Sequence, residues 1–129
     1  MAIDYHLSVE GTTVRAVTSG YDEELEEIQA YGQAVIDCCK AHACNKILAD
    51  ERDLVYRIST LDIYQLAKYY AEVHPRVIRA AIVCHPKYIA DGAFWETAVV
   101  NRGLMVRVFT SLSEAEAWLG LDQADSSSP

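Results

Sequence analysis

No apolar run in the sequence approaches the roughly 20 residues that a membrane span needs, and no basic leader precedes an apolar stretch in the opening Met1-Ala2-Ile3-Asp4-Tyr5-His6. A cytoplasmic protein is expected. Cysteine is sparse as well: Cys38, Cys39, Cys44 and Cys84 in 129 residues fall far short of a disulfide-built scaffold and read as reduced, mostly buried thiols. Bases are few, 11 Lys and Arg against 19 acids for a net charge of −8, which argues against a protein that works by neutralising nucleic-acid phosphates. Nor is there a GxGxxG, P-loop, GxSxG or HExxH pattern, so enzymes with the commonest signatures are disfavoured. No cofactor and no resident metal are expected, and no internal repeat is found.

What is present is enough for one core. Half of the residues are hydrophobic (51%), and a chain of 129 residues fits one domain, which at this size buries roughly two thirds of the surface its unfolded chain exposes. Tyr5 to Val9 alternates apolar with polar residues and resumes after Glu10-Gly11-Thr12 through Val14, Ala16 and Thr18, a hairpin pattern. The period then changes. Leu25, Ile28, Gly32, Val35 and Cys39 are spaced by three and four, which predicts a helix from Asp22 to about Ala43. Asp22, Glu23, Glu24, Glu26 and Glu27 then fall at its positive end. Gly32 on the buried face implies close approach to a sheet.

Lys46 to Ala49 reads as a short strand, Asp50-Glu51-Arg52-Asp53 as a charged loop after it, and Leu54 to Ile58 as a second extended segment. Ser59-Thr60-Leu61-Asp62 resembles a capping box opening a helix through Ile63, Leu66, Ala67 and Tyr70, ended by His74-Pro75. Val77 to Cys84 is a nearly continuous apolar strand. Asp91 is the expected N-cap of a helix from Gly92 to about Asn101, Leu104 to Phe109 is another strand, and Ser111 to Glu114 caps a last helix stopped by Gly120. Strands alternating with helices predict α/β architecture, with a mixed sheet of about five strands, an antiparallel N-terminal hairpin and about four helices over residues 1–120. Residues 121–129, polar and Ser-rich, are expected to be a disordered tail.

Several clusters bear chemistry-capable side chains. Cys38, Cys39, His42 and Cys44 include zinc-type ligands, but adjacent residues on a helix point about 100° apart and no second paired half follows, so core thiols and a helix-end histidine are expected. Cys84 and His85 are consecutive in an extended segment and project to opposite faces, which disfavours a nucleophile and base pair. A phosphate-receiver domain would want an acidic pair after the first strand and a Lys after the last, and this sequence has neither.

Ile47-Leu48-Ala49-Asp50 through Ser59-Thr60-Leu61, then Ala80-Ala81-Ile82-Val83 and the stretch Gly103-Leu104-Met105-Val106-Arg107-Val108-Phe109-Thr110-Ser111-Leu112-Ser113-Glu114-Ala115, resemble the SpoIIAA-like branch of the STAS (sulfate transporter and anti-sigma factor antagonist) superfamily. The resemblance runs from Tyr5 to Leu119. It implies a mixed sheet with helices mainly on one side, and a non-enzymatic role in regulatory protein–protein interaction. By its position in the loop entering a helix, it makes Ser59 and Thr60 the phospho-switch candidates, with Asp50, Glu51, Arg52 and Asp53 shaping the adjoining partner surface. It also implies a second reading, an apolar-ligand or lipid-binding protein with peripheral membrane association. Tyr64, Tyr88, Phe94 and Trp95 are the candidate contacts for that role. A homodimer is compatible with either. The acidity lies at the ends: residues 1–43 hold eight acids and two bases, residues 44–109 seven acids and nine bases, and residues 110–129 four acids and no base. An anionic headgroup near Arg52, Arg57 or Arg102 therefore remains compatible with the sequence.

Overall fold

The computed structural model describes residues 2–121. Strands β1 (Ile3–Glu10) and β2 (Thr13–Asp22) form the antiparallel hairpin that the alternation predicts. After it come α1 (Leu25–Ala41), β3 (Lys46–Tyr56), α2 (Thr60–Val73), β4 (Arg79–Cys84), a short 3₁₀ turn (Pro86–Tyr88), α3 (Ile89–Val100), β5 (Met105–Phe109) and α4 (Leu112–Leu119). The sheet order is β1-β2-β3-β4-β5, with every pair after the hairpin parallel. This sequential order decides the layering. Each right-handed crossover advances in the same direction, so α1, α2 and α3 all land on one face. That face buries Ile28 and Val35 of α1, Leu66 and Tyr70 of α2, and Ala98 and Val99 of α3 over Ala16, Ile47, Ala49, Ala80 and Val106 of the strands. Among the described residues the opposite face is covered by α4, through Ala115 and Leu119 against Leu48, Ala81 and Val83. The tail expected over 121–129 lies, beyond Leu121, outside the described residues. Among the described residues no helix is long and apolar enough to cross a membrane.

Local chemistry explains the boundaries. Ser59 and Ser111 accept hydrogen bonds from Asp62 N and Glu114 N, the capping geometry their sequence context predicts. Gly120 closes α4 in the left-handed region at φ 79°. Three expectations are corrected. Asp22 belongs to the end of β2 and not to α1, and Asp91 sits in the first turn of α3, whose N-cap is Tyr88. Gly32 faces a helix and not the sheet: a Cβ there would fall inside the phenol of Tyr70 on α2.

The largest correction concerns β3. Asp50 to Asp53 is no loop; the strand runs through it without interruption. Opposite this run the pairing shifts, from Val17 with Asp50 to Ser19 with Asp53, so β3 carries one extra residue. A bulge of this kind reverses which residues face which side. Odd-numbered Ile47, Ala49 and Glu51 face the α1–α3 side before it, and even-numbered Leu54 and Tyr56 do so after it.

Candidate functional site

Ser59 and Thr60 are both exposed at the N-terminus of α2, as an interaction switch would require. The segment that presents them is held by Asp22. Its Oδ1 accepts the backbone amides of Arg57 at 2.5 Å and Ile58 at 3.3 Å, tying the end of β2 to the two residues before the cap. Asp22 is itself only 7% exposed, and burial raises its carboxyl above the ordinary range while the two amides pull it back. Arg57 turns outward over the Tyr21 ring, 4.0 Å from the centroid, and reaches Glu23 at 3.5 Å.

The first turns of α2 are unusually apolar for a surface. Leu61 is 65% exposed and Tyr64 49%, and they stand one turn apart on the helix. Tyr64 meets half-buried Phe94 of α3 edge to face at 5.4 Å, so the patch is continuous across two helices.

The four charged residues of the run Asp50 to Asp53 in β3 do not act together. Arg52 grips Asp50 through two bonds, Nε to Oδ1 at 2.8 Å and its terminal nitrogen to Oδ2 at 2.7 Å, which lowers the Asp50 carboxyl below its usual range. Asp53 is exposed. Glu51 points to the other face, beneath the helices. There Tyr56 donates to Oε1 at 2.6 Å and Tyr31 to Oε2 at 3.0 Å. Burial pushes the Glu51 carboxyl up to about 7, against the pull of the two tyrosines, and nearby Asp22 and Asp50 add to the rise. Glu51 thus leaves the partner surface and joins the interior. Its strand parity with Ile47 and Ala49 is the signal that would have placed it there.

The four aromatic candidates also separate. Trp95 packs against Tyr70 at 5.7 Å and lines the interior, Tyr88 leans on Tyr56 at 5.4 Å, and the Tyr64–Phe94 pair lies outside. The cysteines are all free thiols. Burial pushes Cys39 and Cys84 up to about 11, which leaves them protonated and poorly nucleophilic at neutral pH. Cys84 is fully buried and His85 exposed, with the His85 ring accepting from Lys87 N at 3.0 Å, so the two do not meet. Cys38 Sγ lies 3.8 Å from His42 Nδ1 on one helix face, and among the described residues no group of three or more His, Cys, Asp or Glu is placed to hold a metal ion.

The architecture matches a solved structure, that of an anti-sigma factor antagonist from Mycobacterium paratuberculosis, with a TM-score of 0.63 over 92% of this chain and 94% of that one. The two chains share a fold. They do so at 11% sequence identity, so the correspondence lies in element order and packing and is not carried by matched residues. No protein-family model and no curated protein sequence matches the chain. In the shared fold the mixed sheet and the one-sided α1–α3 layer inferred from the STAS resemblance are both present.

Proposed function

We propose that this protein is a non-enzymatic regulatory module that docks a protein partner through the N-terminal end of α2. The observation that carries this reading is the exposed Leu61–Tyr64 patch, continued by Phe94 and placed directly after the Ser59 cap. Scattered surface leucines need no explanation, but adjoining large apolar side chains on rigid helices are the anatomy of a contact surface. The shared fold supports the same role, since the solved relative is described as an anti-sigma factor antagonist. Asp22 fixes the backbone that presents the patch, and exposed Asp53 and the Asp50–Arg52 pair give β3 a charged surface.

Ser59 is the proposed control point within this surface. Its Oγ already caps α2, so a phosphate there would be tolerated by the helix dipole. The same charge, nearly −2, would stand beside Leu61 and Tyr64 and disfavour an apolar partner. Capture from native cell extract with the wild-type chain as bait is expected to retain a partner protein, and Ser59→Glu is expected to bind that partner about tenfold more weakly. Equal binding by Ser59→Glu would remove the switch while leaving the docking surface in place.

A further inference from the structure

The space between the sheet and the three-helix layer is incompletely filled. A cavity of about 160 Å³ remains there, walled chiefly by Ile28, Val35, Ile47, Leu66, Trp95 and Val106. An apolar cavity of about 150 Å³ is enough to hold benzene. This one is not apolar throughout. Asp22 from β2, Glu51 from β3 and Asp91 from α3 also line it, with Glu51 level with Cys84 at the end of β4.

The polar lining is both acidic and incompletely used. Asp22 directs both of its backbone bonds to Oδ1, and among the described residues its Oδ2 accepts none, although the residue is 7% exposed. Glu51 accepts one tyrosine hydroxyl on each oxygen, and a carboxylate oxygen can accept a second donor. Among the described residues neither acid forms an ion pair: the ion pairs join Arg15 to Glu10 and Glu116, Arg52 to Asp50 and Arg57 to Glu23. The other groups close to Glu51 beneath the helices are the hydroxyls of Tyr31, Tyr56 and Tyr70 and the Cys84 thiol, and the Asp50 carboxylate acts on it from the opposite face of β3; none of them is cationic. Two partly buried carboxyls, with only the exposed Arg57 guanidinium acting on Asp22 and no cation acting on Glu51, are costly unless a cation or a proton compensates them.

We propose that this cavity binds a small organic cation, an ammonium group carried on an aryl or short alkyl body, with the body among the apolar wall residues and the ammonium between Glu51 and Asp22. An ammonium brings three donors and positive charge to the two acids. An anion would find the hydroxyls of Tyr31, Tyr56 and Tyr70 and the His74 ring in the lining, but it would also face the three carboxyls of Asp22, Glu51 and Asp91 with no Lys or Arg among the lining residues. An uncharged apolar molecule would fill the body of the cavity and leave Asp22 Oδ2 unpartnered. The site lies under the buried face of α2 and is separate from the exposed docking patch, so either can fail without the other.

The test compares three probes of nearly equal shape, 2-phenylethylamine, 2-phenylethanol and 3-phenylpropanoate, by NMR titration of the whole chain at mildly alkaline pH. The amine is expected to bind about tenfold more tightly than the alcohol, with the carboxylate not binding. Its shifts should include the Trp95 indole N–H. Glu51→Gln is expected to weaken the amine about tenfold and leave the alcohol unchanged. Ala80→Leu, which fills part of the cavity wall, is expected to abolish both and serves if Glu51→Gln fails to fold. Three results would overturn the proposal: amine and alcohol binding equally, no probe binding at millimolar concentration, or undiminished amine binding to Ala80→Leu.

Discussion

Gly32→Ala is expected to destabilise the protein by about 2 kcal/mol, even though Ala is favoured over Gly by about 1 kcal/mol in a helix interior. The reason is Tyr70. The hydroxyl end of its ring abuts α1 so closely that a Cβ at position 32 would overlap the phenol, and its hydroxyl donates to Ile28 O at 3.1 Å in the turn before Gly32. The ring cannot simply swing away, because Tyr69 and Trp95 hold it edge to face at 5.3 and 5.7 Å. Overpacking of this kind costs ~1–3 kcal/mol or more, and losing the buried hydroxyl bond adds ~1 kcal/mol. Thermal unfolding should show a midpoint lower by roughly 5–10 °C. In a double-mutant cycle with Tyr70→Leu the two costs should be less than additive, because the leucine leaves room for the new methyl. An unchanged or raised midpoint for Gly32→Ala would show that α1 and α2 are not packed through this contact.

Glu51→Gln is expected to stabilise the protein above neutral pH and to do so less, or not at all, in acid. The folded chain keeps a proton on Glu51 up to about pH 7, whereas the unfolded chain releases it near the ordinary value of 4.5. The stability that this proton confers is therefore fully present below 4.5 and is lost as pH rises through 7. A displacement of that size corresponds to about 3 kcal/mol. Solvent reaching the partly exposed carboxyl reduces the expected gain for Glu51→Gln to about 2 kcal/mol. Asp22, also raised, has the same sign. His74 has the opposite sign: burial lowers it below 6.5, so its contribution is lost as pH falls through its folded value. Asp22 and His74 are common to both proteins, so the difference between the two denaturation curves reports Glu51 together with its coupling to Asp22. A difference that does not change between about pH 5 and about pH 8 would mean that Glu51 ionises as it would in water.

Most of the fold is legible in the sequence because local and tertiary demands agree. The hairpin alternation, the three-and-four spacing of α1 and the serine caps of α2 and α4 each rest on a short-range pattern that packing reinforces. The two failures of strand assignment share a cause. Asp22 and the residues Asp50 to Asp53 are acids or charged runs that composition assigns to a helix start or a solvated loop, but both lie in strands. The bulge opposite Val17 and Ser19 breaks the alternation of β3 where a loop would also break it, and only pairing with β2 distinguishes the two. The division of the aromatics was equally hidden. The sequence of α3 is apolar on nearly every side, so spacing alone does not show that Trp95 turns inward while Phe94 meets Tyr64 outside. Ser59 was findable because an N-cap has a sequence signature.

The central claim is that α2 presents the docking surface, and one measurement addresses it: the dissociation constant of the captured partner for wild type and for the double variant Leu61→Asp/Tyr64→Asp. Leu61 is largely exposed and Tyr64 about half exposed, so the variant should fold, with a thermal midpoint lowered by no more than a few degrees through loss of the Tyr64–Phe94 contact. Removing two apolar anchors and introducing two charges at a contact surface is expected to weaken binding by about a hundredfold or more. A partner that binds wild type and the double variant with equal affinity would contradict the account and place its interaction surface elsewhere on the fold.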